Sequence, residues 1–141
     1  MLKIEWADVE YLCDTLAQEI KECGIKFDFI YGIARGGLTP ATLLSHILDI
    51  PMVSTLEYLG EQSPYYLIVD DINDSGKTIK ALNYHTDMIF KTAVLYERAN
   101  SQEEADYYGE KIHHNGWIIF PWEQVGNAMH DMSDYLTRRH G

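Results

Sequence analysis

The sequence predicts an α/β domain built on an open, mostly parallel, twisted sheet flanked by helices. Three observations predict it. Short apolar runs recur at 27–34, 65–69, 90–96 and 116–120; runs that are apolar at nearly every position suit strands buried on both faces. Helical periodicity occupies stretches between those runs. The run at 27–34 passes into glycines and the run at 65–69 into acids, the punctuation expected where a strand gives way to a loop.

Each element follows in order. Val9, Leu12, Cys13, Leu16 and Ile20 share one face of an amphipathic helix, with Gly24 a C-cap candidate. Phe27 to Ala34 is an aromatic-rich strand, interrupted at Arg35-Gly36-Gly37. Leu38 to Leu48 resumes helical spacing, with Pro40 tolerable only in a first turn. Pro51 to Leu56 is a short strand and Tyr58 to Pro64 a loop. Tyr65 to Val69 is a second buried strand, expected to stop at Asp70-Asp71, followed by a helix from about Gly76 to His85. Phe90 to Tyr96 is a further strand. Glu97 to Lys111 is polar and rich in acids, so it is expected as an exposed excursion. Gly116 to Phe120 is a last strand closed by Pro121, and a short amphipathic helix carrying Met129, Met132, Tyr135 and Leu136 ends the chain.

Composition narrows the function. The 141 residues carry 11 Lys and Arg against 22 Asp and Glu, a net charge of −11, without the basic footprint of a nucleic-acid or anionic-membrane binder. Apolar residues at 46 % against 23 % charged allow a folded core. No apolar run approaches the ~20 residues of a membrane span. Acids interrupt the opening Met1 to Asp8 at once, so it does not read as a signal peptide. Cys13 and Cys23 sit on one expected helix, where a bridge is excluded, and read as ordinary thiols of a cytoplasmic protein.

Ligands of such sheets bind beyond the carboxyl ends of the strands, which directs attention to two loops. Gly32-Ile33-Ala34-Arg35-Gly36-Gly37 follows a strand and opens a helix. Its glycines let backbone N–H groups approach an anion, and Arg35 adds a fork of donors suited to phosphate. A plain strand-to-helix turn would also use glycine here, and the segment is a degenerate form of a dinucleotide-binding loop. Leu67 to Thr78 ends a strand in Asp70, Asp71 and Asp74, then supplies Ser75-Gly76-Lys77-Thr78 at a helix N-terminus. Buried carboxylates need hydrogen bonds or a cation. Asp70 and Asp71 can accept from two adjacent hydroxyls or hold Mg²⁺, and Ser75 to Thr78 offers a phosphate cradle. A Walker motif fails, because it requires glycine at position 71. Lys77 is equally a phosphate contact or an exposed first-turn lysine. Diol-binding acids beside a phosphate cradle, with a second anion loop on a neighbouring strand, describe a site for a pyrophosphorylated ribose.

At these residues the sequence resembles the type I phosphoribosyltransferases. Leu67 to Thr78 is similar to the family's phosphoribosyl-pyrophosphate signature, and Ala34-Arg35-Gly36-Gly37 to its pyrophosphate loop. Trp117-Ile118-Ile119-Phe120-Pro121-Trp122-Glu123 resembles the carboxyl-terminal motif of small bacterial and archaeal xanthine, guanine and hypoxanthine phosphoribosyltransferases. The resemblance spans nearly the whole chain. It implies a single domain over 1–141 with a hood from about 97–141, and transfer of a phosphoribosyl group from phosphoribosyl pyrophosphate to a purine base in purine salvage. It implies that Asp70 and Asp71 hold the ribose hydroxyls and Mg²⁺, that Asp74 manages a proton at the purine N7, and that Asp74, Ser75, Gly76, Lys77 and Thr78 bind the 5-phosphate. It further implies that Arg35, Gly36 and Gly37 bind pyrophosphate, that Trp117 stacks on the purine, that the Ile118 backbone reads its edge, and that the protein is a homo-oligomer. Without the resemblance Trp117 reads as a core residue.

Two departures stand out. The family's base-reading lysine is matched by Arg98, beside which Glu97 is expected to accept from an amino group on the base. The segment between Thr55 and Tyr65 is shorter than the family's mobile loop. Tyr107 and Tyr108 are expected to cover the base or form a subunit contact. His113, His114 and His130 lack ligand spacing for a metal. Two other readings stay open: a non-catalytic sensor of the sugar pyrophosphate or a nucleotide, and a dinucleotide-binding protein using Gly32 to Gly37.

Overall fold

The computed structural model describes residues 1–85 and 87–123. The expected terminal helix at Met129 to Leu136, and His130, lie outside the described residues. Five strands form one all-parallel sheet in the order β3-β2-β4-β5-β6: β2 Phe29–Gly32, β3 Met52–Val53, β4 Tyr65–Asn73, β5 Ile89–Arg98 and β6 Tyr107–Ile112. Helices α1 Trp6–Glu22, α2 Leu38–Leu48 and α3 Lys77–His85 connect them. A second, two-stranded parallel sheet pairs β1 Leu2–Lys3 with β7 Ile118–Ile119. No helix among the described residues is long and apolar enough to cross a membrane.

The core follows from the apolar spacing. Val9, Leu12, Cys13, Leu16 and Ile20 of α1 are buried together with Ile30, Leu44, Leu67, Val69, Ala93 and Leu95. Helix α1 lies against β5, β6 and α2, and α2 against β2 and β4. Alternation along β5 divides the two faces of the sheet. Ala93 and Leu95 enter this large core, whereas Val94 joins a small cluster with Ile79 of α3 and Ala105. At the start of α1 the Glu5 N–H donates to Asp8 Oδ2 at 2.9 Å, satisfying an N-terminal amide.

Three expectations are corrected. Strand β4 does not stop at Asp70-Asp71; it continues to Asn73, because β5 offers the matching register, Ile72 opposite Tyr96 and Asn73 opposite Glu97. Residues 97–111 are not an exposed excursion. They hold the end of β5, a turn, and β6, an edge strand that buries Tyr107 and Ile112. The acids that made the segment look solvated are used as acceptors: Asp106 Oδ2 takes the Thr92 N–H at 2.8 Å, and Glu97 is buried among donors. The expected strand at 51–56 is reduced to Met52–Val53.

Candidate active site

The chain runs from β2 through α2 to β3 on one side, then returns to β4, β5 and β6 on the other, so the strand order reverses between β2 and β4. The carboxyl ends of strands flanking such a reversal leave an open crevice. Both loops singled out by the sequence lie there.

The first loop is built tightly. Ile33 N–H donates to Val69 O at 2.9 Å, tying the loop to β4, and Gly37 N–H donates to Ile33 O at 2.8 Å. The Ala34–Arg35 peptide is cis. A Cβ on Gly37 would lie 2.7 Å from Ile33 O, so the turn requires glycine there. Arg35 is exposed at its tip. Gly36 packs directly on β4: a Cβ at this position would overlap the Asp71 carboxylate. The absence of a side chain at 36 is therefore what brings the two loops into contact.

The second loop closes a cleft of about 110 Å³ lined by Asp70, Asp74, Ser75, Gly76, Lys77 and Thr78. Asp71 N–H donates to Asp70 Oδ1 at 2.9 Å and Ile72 N–H to Asp71 Oδ1 at 2.8 Å, so one oxygen of each carboxyl is held by backbone. Burial raises the Asp70 pKa; burial, then the neighbouring Asp70 charge, raise that of Asp71 to about 8. A carboxyl with a folded pKa above its unfolded one favours folding at low pH, and that advantage is lost as pH rises from the ordinary carboxylate range through the folded value. The pair thus costs stability at neutral pH and is set up to attract a cation. Lys77 and Thr78 are exposed in the first turn of α3. Gly76 has φ +87°, and a Cβ there would lie 2.6 Å from Glu103 N and 2.7 Å from Gln102 N. The turn after β5 thus packs directly against this loop.

Asp74 is partly buried and its Oδ1 accepts from Arg98 Nε at 3.0 Å, while Arg98 is 6 % exposed. Arg98 Nη1 also donates to His114 O at 2.7 Å and Gly116 O at 3.1 Å. The residue expected to read a base thereby clamps Asp74 to the segment leading into β7. Trp117 is half-buried, with its carbonyl taking the Leu2 N–H at 2.7 Å, and Ile118 pairs with Leu2.

Two expectations around this site are corrected. Glu97 is not available to a base: it is 1 % exposed, and its oxygens accept from Asn73 Nδ2, Ser101 Oγ and Ala105 N at 2.8–2.9 Å. Tyr107 covers no base because it is buried in the main core, and Tyr108 packs on the small cluster containing Ile79. Sequence reasoning missed the partnership of Asn73 with Glu97, which only the β4–β5 register brings opposite one another. No cluster of three or more metal-ligating side chains occurs among the described residues, consistent with His113 and His114 lying exposed.

No protein-family model matches the chain. Known proteins do. Xanthine-guanine phosphoribosyltransferase of Cereibacter sphaeroides is 32 % identical over 117 residues, covering 68 % of this chain and 69 % of that protein. The enzyme of the same name from Gluconobacter oxydans is 27 % identical over 142 residues, 85 % of this chain and 83 % of its own. Among solved structures, purine phosphoribosyltransferase from Pyrococcus horikoshii is 31 % identical with a TM-score of 0.71, covering 88 % of this chain and 94 % of that one. The Helicobacter pylori xanthine-guanine-hypoxanthine phosphoribosyltransferase, 19 % identical with a TM-score of 0.72 over 92 % of this chain and 97 % of its own, shares the fold. On this sequence identity and coverage, together with the crevice of acids and glycine loops at the sheet reversal, the chain belongs to the purine phosphoribosyltransferases, enzymes of the type I phosphoribosyltransferase fold.

Proposed function

We propose that the protein transfers the 5-phosphoribosyl group of phosphoribosyl pyrophosphate to a six-oxo purine (hypoxanthine, guanine or xanthine), releasing pyrophosphate in purine salvage. The observation that carries this reading is the contact of Gly36 with Asp71 beside the cleft of Asp70 and Asp74 to Thr78. It supports reading Arg35 to Gly37 as a pyrophosphate loop, Asp70 and Asp71 as diol-binding acids and Ser75 to Thr78 as a phosphate cradle.

In this reading the 5-phosphate lies against Ser75, Gly76, Lys77 and Thr78, using amides at the α3 N-terminus. Asp70 and Asp71 take the ribose hydroxyls. Arg35 and the amides of Gly36 and Gly37 take the pyrophosphate. The purine nitrogen attacks C1 of the ribose as the bond from C1 to pyrophosphate oxygen breaks, through an oxocarbenium-like transition state. Asp74 receives or returns the N7 proton with its carboxylate, held in place by Arg98. Trp117 stacks on the base, the Ile118 backbone reads its edge, and the β1–β7 sheet contributes to a hood above it.

Asp70 and Asp71 fit a divalent cation: two carboxyls whose burial disfavours their charge, each with one oxygen already used by backbone. They do not build an all-protein cage, which suits Mg²⁺ retained through water and substrate oxygens. When bound, the metal neutralises charge on the departing pyrophosphate. For a chain of net charge −11, affinity for a polyanion must come from these local devices.

The deciding experiment incubates the protein with Mg²⁺, phosphoribosyl pyrophosphate and a panel of nucleobases, then identifies nucleotides by mass. We expect a purine nucleotide and pyrophosphate in equal amounts, dependent on Mg²⁺. Binding of the sugar pyrophosphate with no turnover of any base favours the sensor reading, and binding of a dinucleotide unaffected by Asp70→Asn favours the dinucleotide one. A site change belongs with this test. Gly36→Ala should displace the Asp71 carboxylate and slow nucleotide formation about tenfold to a hundredfold, with the melting temperature changed by only a few degrees. A wild-type rate in that variant contradicts the importance of the loop contact.

A further inference from the structure

We propose that Glu97 is a positioning residue for the 5-phosphate loop, acting through the turn after β5; this rests on reading residues 74–78 as that loop. Glu97 is a carboxyl 1 % exposed at the end of β5, and its side chain does not line the cleft. Burying such a group is costly unless its oxygens are satisfied. Here every recorded partner is a donor. Oε1 accepts from Asn73 Nδ2 at 2.9 Å and from Ala105 N at 2.8 Å; Oε2 accepts from Asn73 Nδ2 and Ser101 Oγ, both at 2.8 Å. No ion pair to it is found among the described residues.

Those donors come from the strand that leads into the cradle and from the turn packed against it. Asn73 ends β4 immediately before Asp74, and its Nδ2 also donates to Glu103 O at 2.7 Å. Ser101 and Ala105 flank Gln102 and Glu103, and Ser101 Oγ also lies 3.2 Å from Glu103 O. The turn in turn grips the loop. Gln102 N–H donates to Ser75 O at 2.8 Å. The amides of Gln102 and Glu103 occupy the space that a Cβ on Gly76 would need. Farther along α3, Asn83 Nδ2 donates to Glu103 Oε2 at 2.7 Å. One buried acceptor thus fixes the turn that fixes Ser75 and Gly76. Asn73 Nδ2 and the Ala105 N–H can only donate, so the oxygen facing both must accept, while the Ser101 hydroxyl donates to the other oxygen or to Glu103 O. A glutamine can keep its carbonyl for Asn73 and Ala105, but its NH₂ then lies against Asn73 Nδ2 and turns the Ser101 hydroxyl round into an acceptor, which loosens the hold on the turn.

The consequence for catalysis is specific. In this proposal the 5-phosphate contacts, which take no part in bond breaking, are made equally in the ground and transition states. Loosening them raises KM and leaves kcat nearly unchanged.

The test compares wild type, Glu97→Gln and Ser101→Ala by calorimetric titration with ribose 5-phosphate, by steady-state kinetics and by hydrogen exchange. Glu97→Gln should weaken ribose 5-phosphate binding and raise KM for phosphoribosyl pyrophosphate about tenfold, with kcat within about threefold. The amides of Gln102, Glu103 and Ala105 should exchange faster. Ser101→Ala, which removes one donor and threatens the fold less, should give the same pattern at about threefold. A lowered melting temperature with unchanged KM and unchanged ribose 5-phosphate affinity in both variants makes Glu97 merely structural and overturns the proposal. A fall in kcat with KM unchanged overturns it as well. If wild type itself does not bind ribose 5-phosphate, the reading of residues 74–78 fails, and the proposal with it.

Discussion

Asp74→Asn leaves a folded protein that forms nucleotide at least about a hundredfold more slowly than wild type, since positioned proton transfer contributes roughly 10²–10⁴ in rate. The amide can keep its Oδ1 toward Arg98 Nε, now 3.0 Å away, so the contact that organises the site survives. What disappears is the capacity to take up and return a proton at the base. KM for phosphoribosyl pyrophosphate should stay within about threefold, because Ser75 to Thr78 and the acid pair are untouched. A rate near wild type would remove Asp74 from proton handling and leave only its ion pair with Arg98. The variant is informative because the two roles separate: stability reports the bond to Arg98, and kcat reports the proton.

How much of this was legible in the residues depends on how local each determinant is. Helix α2 is read to the residue, since Gly37 precedes it and its apolar spacing ends at Leu48. Strands β2, β4 and β5 announce themselves as apolar runs because parallel central strands are buried on both faces. Strand β1 is two residues long, too short for any periodicity, and exists only because β7 lies beside it. Strand β6 was hidden by its acids: at a sheet edge Glu110 stays exposed while Tyr107 and Ile112 turn inward. At the site, the strand-end acids and the glycine loops are short-range patterns and were visible. The approach of Gly36 to Asp71 and the burial of Glu97 depend on strand order and register, which no single stretch of sequence encodes. Charge was the misleading signal at Glu97, because a charged residue in an acid-rich stretch reads as exposed until partners from other segments are known.

Arg98→Met should cost about 3–5 kcal/mol of unfolding free energy, because it strips a partly buried carboxylate and two backbone carbonyls of one shared donor group. The guanidinium is 6 % exposed and Asp74 is 22 % exposed, so water can replace it only in part. Against a typical total of about 5–15 kcal/mol, such a loss should be plain in urea unfolding. Arg98→Lys separates charge from shape. An ammonium is a point charge and cannot span the directions to Asp74 Oδ1, His114 O and Gly116 O as the fork does, so we expect an intermediate stability. The double variant Asp74→Asn with Arg98→Met tests the coupling itself. With the carboxylate neutralised, removing arginine should hurt less, giving a coupling energy of about 1–3 kcal/mol. Simple additivity would mean that Arg98 acts through the two carbonyls alone. In that case the 113–117 segment is what it secures, and Trp117, placed just before β7, should lose its position in the arginine variant while Asp74 keeps its own.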